Sequence, residues 1–229
     1  MFNGFSTAGL QFLTDLIENN NREWFNERKD IYQDEIVTPA LAFIGDLGER
    51  LKQIAPGLRS DMRTNGSGSL MRIYRDTRFS KDKSPYKTNV GIVFWEGSGK
   101  KMELPGFYFH LSAEEAWIGG GLYMLPQQSM DTFRQAVADE EGGAALQRII
   151  GTLSAAGYRL HGDTYKRVPA EFAPDHPRAD LLRFKGIFAG SPNIPMQVVC
   201  SPRLVDVCFE HCRQTAPLHQ WFVRHVTGN

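Results

Sequence analysis

The chain has 229 residues, an apolar fraction of 41% and a charged fraction of 23%, with 26 cationic and 26 acidic side chains that cancel. That length supports a core without disulfides or metals, and the balanced charge argues against a general nucleic-acid coat or a protein spread on an anionic membrane surface. The three cysteines, Cys200, Cys208 and Cys212, are bunched near one end, unlike a secreted disulfide framework, and no run approaches the ~20 apolar residues of a membrane span, so a cytoplasmic protein is expected.

Ser6 precedes a run with Leu10, Leu13 and Ile17 on one face, and Phe5 is placed to pack on Leu10, which predicts a helix over Thr7–Glu18. Asn19, Asn20 and Asn21 end it, and Asn21 caps a second helix on which Trp24, Phe25, Arg28, Ile31, Tyr32 and Glu35 recur at helical spacing. Thr38 and Pro39 open a third, with Leu41, Phe43, Ile44, Leu47, Leu51 and Ile54 as its apolar face, stopped by Pro56 and Gly57. The flexible run 65–69 leads into residues 70–75, rich enough in β-formers for a short strand.

From there the period changes to two. Val90, Ile92 and Phe94 alternate with Gly91, Val93 and Trp95; Phe107, Phe109 and Leu111 alternate with Tyr108, His110 and Ser112; a third strand starts at Ala116 and runs on through Gly119, Gly120 and Gly121. With such short turns this is an antiparallel meander. Pro126 then opens a helix bearing Met130, Phe133 and Val137, and another follows Gly142 and Gly143 with Leu146, Ile149, Ile150 and Leu153. A small hairpin is expected over 158–168, ordered loop with one helical turn at Ala179–Leu182 over 169–195, a helix after Ser201 and Pro202, and a separate last helix after Pro217. The expected architecture is α+β in one domain over residues 1–229: a helical part at 1–57, a central antiparallel sheet with a basic loop at 66–123, and helices with ordered loops at 126–229, returning over one face of the sheet.

Charge is concentrated in one place. Arg72, Arg75, Arg78, Lys81, Lys83 and Lys87 face only two local carboxylates, Asp76 and Asp82, in a chain that is neutral overall. Arginine offers a planar fork and lysine a mobile point charge, the right types for a phosphate clamp. The bland alternative is structural ion pairing, within the loop or to Glu23, Asp30, Asp34 and Glu35 of the second helix.

Four pieces of sequence, residues 20–25 (Asn-Asn-Arg-Glu-Trp-Phe), 75–87 (the basic run), 106–110 (Gly-Phe-Tyr-Phe-His) and 119–123 (Gly-Gly-Gly-Leu-Tyr), resemble the bacterial and fungal family catalogued as domain of unknown function 2461. Residues 166–169 and Ala216, Pro217, Leu218 and Trp221 are similar to its pattern too. The resemblance implies one full-length domain; the family carries no assigned reaction, cofactor or ligand.

Three functions are compatible with these residues. The leading one is binding of an anionic, phosphate-bearing ligand, a nucleotide, sugar phosphate or nucleic acid, through residues 72–87. The second is an enzyme, a hydrolase or transferase, acting on such a ligand, with Asp76, Asp82, Tyr86 or His110 supplying acid and base groups. The third is a structural or protein-interaction domain. The run Gly66–Gly68 lacks the lysine and helix of a P-loop, and no motif names a cofactor or an oligomeric state. Cys208, His211 and Cys212 share a helical face but sit among core residues, so thiols in a core are expected there and no metal site. Gly119 to Gly121 read as a bulge or tight bend first, and as a place of close ligand approach second.

Overall fold

The computed structural model describes residues 1–228. It is an α+β structure, with an N-terminal helical region, a six-stranded antiparallel sheet and helices towards the C-terminus. The first helix, α1 (Thr7–Glu18), starts where Ser6 accepts from the Gly9 N–H, and α2 (Arg22–Glu27) where Asn21 accepts from Trp24. α3 (Lys29–Tyr32), a π-helical turn (Gln33–Val37) and α4 (Thr38–Leu51) then run on without a break. The N-cap expected at Thr38 is absent, because the wide turn carries the chain through Pro39 and the Thr38 hydroxyl bonds back to the Gln33 carbonyl at 3.0 Å.

The sheet has the order β1–β2–β3–β4–β6–β5, formed by Leu58–Arg59, Asn89–Glu96, Gly106–Ser112, Ala116–Leu122, Ile187–Gly190 and Arg159–His161 respectively. The three-strand meander expected from alternation is its centre, β2 to β4. Residues 70–75 are not the expected continuous strand. Leu70 bridges Ile92 and Tyr74 bridges Tyr86, whereas a regular ladder from the first bridge would pair Tyr74 with Thr88, so the register slips and pairing breaks. The hairpin expected over 158–168 is replaced by pairing of β5 with β6, and Thr164 bridges Phe184 instead.

α5 (Met130–Ala138) and α6 (Glu140–Ala155) meet at Asp139, whose carboxylate caps the Gly142 N–H at 2.7 Å, so the two glycines lie inside α6 and not before it. The short helix α7 (Ala179–Leu182) sits where expected, and α8 (Met196–Val199) follows β6. The two helices expected on either side of Pro217 are one, α9 (Leu204–Phe222). Pro217 is on the exposed side of the helix, as is Arg213, whose carbonyl loses its N–H partner, while Ala216 and Leu218 are buried and hold the helix down. Among the described residues no helix is long and apolar enough to cross a membrane.

One face of the sheet is the core. Val90, Ile92, Phe94, Phe107, Phe109, Leu111 and Ile118 pack against α1, α4 and the first half of α9, and Leu122, Ile187 and Ala189 pack with α5, α6 and its second half. The alternate residues, Val93, Trp95, Tyr108, His110, Trp117 and Phe188, belong to neither cluster and form the other face. At the centre of the core side, Glu96 at the end of β2 meets His219 of α9, carboxylate to Nε2 at 2.6 Å, and the imidazole lies on the Phe107 ring.

His219 is fully buried and, among the described residues, its Nδ1 has no partner and Glu96 is the only side chain that hydrogen-bonds the ring. Replacing Glu96 by Ala strands both nitrogens, and a loss of about 1.5–3 kcal/mol is expected in urea unfolding. The bond to His219 holds the Glu96 carboxyl below its ordinary value of 4.5, against the opposing effect of burial. Its stabilisation is therefore complete above that value and is lost as pH falls through the lower folded value; the alanine variant should lack this part of the acid dependence.

Candidate functional site

The basic segment is a hairpin docked on the N-terminal helices. Its stem pairs residues 73–75 with 85–87, the Arg75 N–H on the Pro85 carbonyl at 2.9 Å and the Lys87 N–H on the Ile73 carbonyl at 2.7 Å. Tyr86 anchors it: the ring is buried and stacked on Phe25 of α2 at 4.1 Å. Asn20, in the turn between α1 and α2, acts as a surrogate strand partner, accepting from the Tyr86 N–H and donating to its carbonyl, both at 3.0 Å.

The tip of the hairpin pairs its own charges. Asp76 holds Arg78 through two bonds of 2.9 and 2.7 Å, and Asp82 holds Arg75 as well as the Ser84 N–H and hydroxyl. The Arg78 bonds pull the Asp76 carboxyl down to about 2, and those of Arg75 and Ser84 push Asp82 well below the carboxylate range. Both stay ionised at neutral pH. Lys83 donates to the Thr77 carbonyl at 2.8 Å and Lys87 to the Arg72 carbonyl at 2.9 Å, and among the described residues no carboxylate pairs with either, nor with Arg72 or Lys81. The acids Glu23, Asp30, Asp34 and Glu35 make no ion pair with the hairpin.

Between the hairpin and the α1–α2 turn lies a groove of about 350 Å³. Arg22, Arg75 and Lys83 line it, with Asn20, Asn21 and Tyr74, and no acidic side chain does. Arg22 starts α2, so its position comes from the same asparagine run that caps that helix. Tyr74 is 56% exposed and offers a ring face at the rim, tilted against Tyr86 at 5.4 Å.

His110, expected from alternation to share a face with Tyr108, does so on the sheet side without the cores. Its Nδ1 lies 3.3 Å from the Tyr108 hydroxyl and 3.5 Å from the Asn89 amide, and its Nε2 3.8 Å from Glu115. Trp117 stacks on the imidazole at 5.2 Å and bonds Glu115 through its indole N–H at 3.2 Å. Burial lowers the His110 pKa and the Glu115 carboxylate partly restores it; burial also raises the Tyr108 hydroxyl to about 12.

The structure thus distributes the sequence candidates. Arg75 and Lys83 meet in the groove; Arg72 and Lys87 lie together farther along, where each charge bears on the other; Arg78 and Lys81 project at the exposed tip. Asp76 and Asp82 fasten the tip, Tyr86 is a core residue, and His110 belongs to the open sheet face. Sequence reasoning missed Arg22, Asn20 and Glu115. The first two were legible only as cap and turn residues, and Glu115 reaches His110 by turning back across the β3–β4 turn. Cys208 and Cys212 are fully buried, with burial raising both thiols, and among the described residues no three metal-ligating side chains converge.

Residues 8–221 match the family described as conserved hypothetical protein (DUF2461). No curated protein and no solved structure matches the chain.

Because Glu115 offsets burial at His110, Glu115→Gln should move the His110 titration further below its ordinary value. An NMR titration of the ring protons checks this. An unchanged curve would mean that the carboxylate and Nε2 do not sense one another.

Proposed function

The chain belongs to that family, whose description assigns no activity, and from the geometry of its hairpin we propose that it binds a phosphate-bearing ligand in the groove between the hairpin and the α1–α2 turn. The observation that carries this reading is that three cations, Arg22, Arg75 and Lys83, line one groove from which acidic side chains are absent. Arg75 is already paired with Asp82, whereas among the described residues Arg22 and Lys83 have no carboxylate partner, and like charge compensated only in part is stabilised by an arriving anion. The side chains are of two useful kinds: the arginines present planar forks, and Lys83 keeps two of its three ammonium protons after bonding Thr77. Asn20 and Asn21 add neutral polar groups, and the Tyr74 ring gives a flat surface for a base or sugar beside the phosphate.

The internal pairs of the tip fit the same reading. Asp82 fixes the Arg75 guanidinium, so that less rotamer freedom is lost when an oxyanion is bound. The pair is solvent-screened and contributes little to folding, so its main effect is on geometry.

Thermal unfolding with inorganic phosphate, AMP and a ten-residue oligothymidylate is the test. A probe at a hundred times its Kd should add about 2.7 kcal/mol of apparent stability. Arg22→Ala/Lys83→Ala should weaken the binding probe about a hundredfold or more, since each of the two charge-assisted bonds contributes ~1.5–3 kcal/mol. For the oligonucleotide, log K should fall against log salt with a slope of about −0.7 per phosphate held. No stabilisation by any probe, or equal stabilisation of wild type and double variant, removes the proposal.

A further inference from the structure

The face of the sheet opposite the core carries a second cavity, of about 290 Å³, lined by rings and thioether chains. Glycines on the same face of the sheet let side chains that wall it lie close to the backbone. At Gly91 a Cβ would lie 3.0 Å from both the Met71 sulfur and the Tyr108 hydroxyl, and at Gly119 2.7 Å from the edge of Phe188. Tyr108, Trp117 and Phe188 are mutually tilted at 60–73°, with centroids 5.4–6.4 Å apart, so they form an aromatic corner and not a parallel stack. Both faces of the Trp117 indole are already covered, by His110 at 5.2 Å and His161 at 5.8 Å, which fixes the ring that walls the cavity. Met71 and Met102 close the side nearer the sheet edge with chains that adapt to an occupant.

One lysine stands at this space. Lys101, in the 3-10 turn Lys101–Glu103 that precedes β3, lines the cavity and donates to the carbonyls of Gly66, at 3.0 Å, and Gly68. No carboxylate hydrogen-bonds it, because the nearby Asp61 is committed to Arg63. Two of its three ammonium protons are used, so one donor is left. Burial is the main cause that lowers its pKa, the charge of Lys87 adds to this, and Asp61 partly opposes it.

We propose that this cavity binds a small aromatic acid, a planar molecule of one or two rings whose single carboxylate pairs with Lys101. The volume is at the small end of ligand sites, which suits so compact a molecule, and the lining is mostly apolar, with Lys101 as its one lysine or arginine beside the His161 ring and the hydroxyls of Tyr108 and Tyr123. A monoanion matches one remaining donor; a phosphate dianion would leave most of its oxygens unpartnered in an apolar surround, which is costly. The rings supply edge and face contacts to a flat molecule. The site is separate from the hairpin groove, with which it shares no lining residue.

Calorimetric titration of the full chain with 2-naphthoate and with its neutral counterpart 2-naphthylmethanol tests this. Wild type should bind both, the acid more tightly. Lys101→Met should weaken 2-naphthoate at least tenfold and leave 2-naphthylmethanol within about twofold. Met102→Trp, which fills the space without touching the Lys101 clamp on the glycine loop, should abolish binding of both. Lys83→Ala, in the hairpin groove, should change neither. Failure of wild type to bind 2-naphthoate, or undiminished binding by Met102→Trp, overturns the proposal, as does equal weakening of acid and alcohol by Lys101→Met.

Discussion

Three consecutive glycines in β4 determine how close everything else comes to the sheet. Gly120 faces the core, where a Cβ would lie 2.7 Å from the Thr215 hydroxyl of α9 and 2.9 Å from the Phe107 ring. Any side chain there would lift α9 off the strand it crosses, and α9 is the helix that spans both apolar clusters. Gly119 faces the other way and lets the Phe188 ring lie against the backbone. Gly121 has φ of +141°, a conformation that side chains strongly disfavour, and it pairs with Phe188 as the ladder passes to β6. Core packing and the aromatic cavity therefore rest on the same three residues, read from opposite faces. Large-to-small reasoning does not apply at such positions; the strain comes from any added volume.

The hairpin is held by a different balance. Its ion pairs are exposed, and exposed pairs contribute little to stability, so Arg75–Asp82 and Arg78–Asp76 shape the tip without anchoring it. The anchor is the buried Tyr86 ring on Phe25 and the two backbone bonds of Asn20. A loop built this way has a firm base and a polar tip, and its cations keep fixed directions while remaining solvated.

Much of the architecture was legible because it rests on local periodicity. α1, the capped start of α2, the β2–β4 meander and the placement of His110 beside Tyr108 all follow from spacing of 3.6 or 2. What was not legible depends on partners distant in the chain. β6 is four residues long and buried throughout, so it shows no alternation, and its neighbours β4 and β5 lie far away in sequence. Pro217 reads locally as a helix breaker, and only its exposed position explains why α9 continues. The basic run stood out by composition. Which of its cations are spent could not be read, since Arg75 passes over the adjacent Asp76 to take Asp82, and the groove acquires Arg22 from a helix some fifty residues earlier.

The two proposed sites lie on one positively charged stretch of surface. Arg72 lowers Lys87, and Lys87 contributes to lowering Lys101, so cations of the hairpin and of the cavity rim lie within each other's fields. Such proximity costs folding energy in a chain that is neutral overall and has acids to spare on its helices. The acids compensate it only in part: Asp61 is bonded to Arg63 and reaches Lys101 through its field alone, and the acids of α2 and the turns after it make no ion pair with the hairpin. Screening confines the field to roughly 8 Å at physiological salt, which means that the cations act on a bound anion and on one another but not on the distant helices. Two of the hairpin's six cations are thus offset by its own carboxylates, Arg75 by Asp82 and Arg78 by Asp76, and the rest owe their partners to backbone carbonyls or solvent.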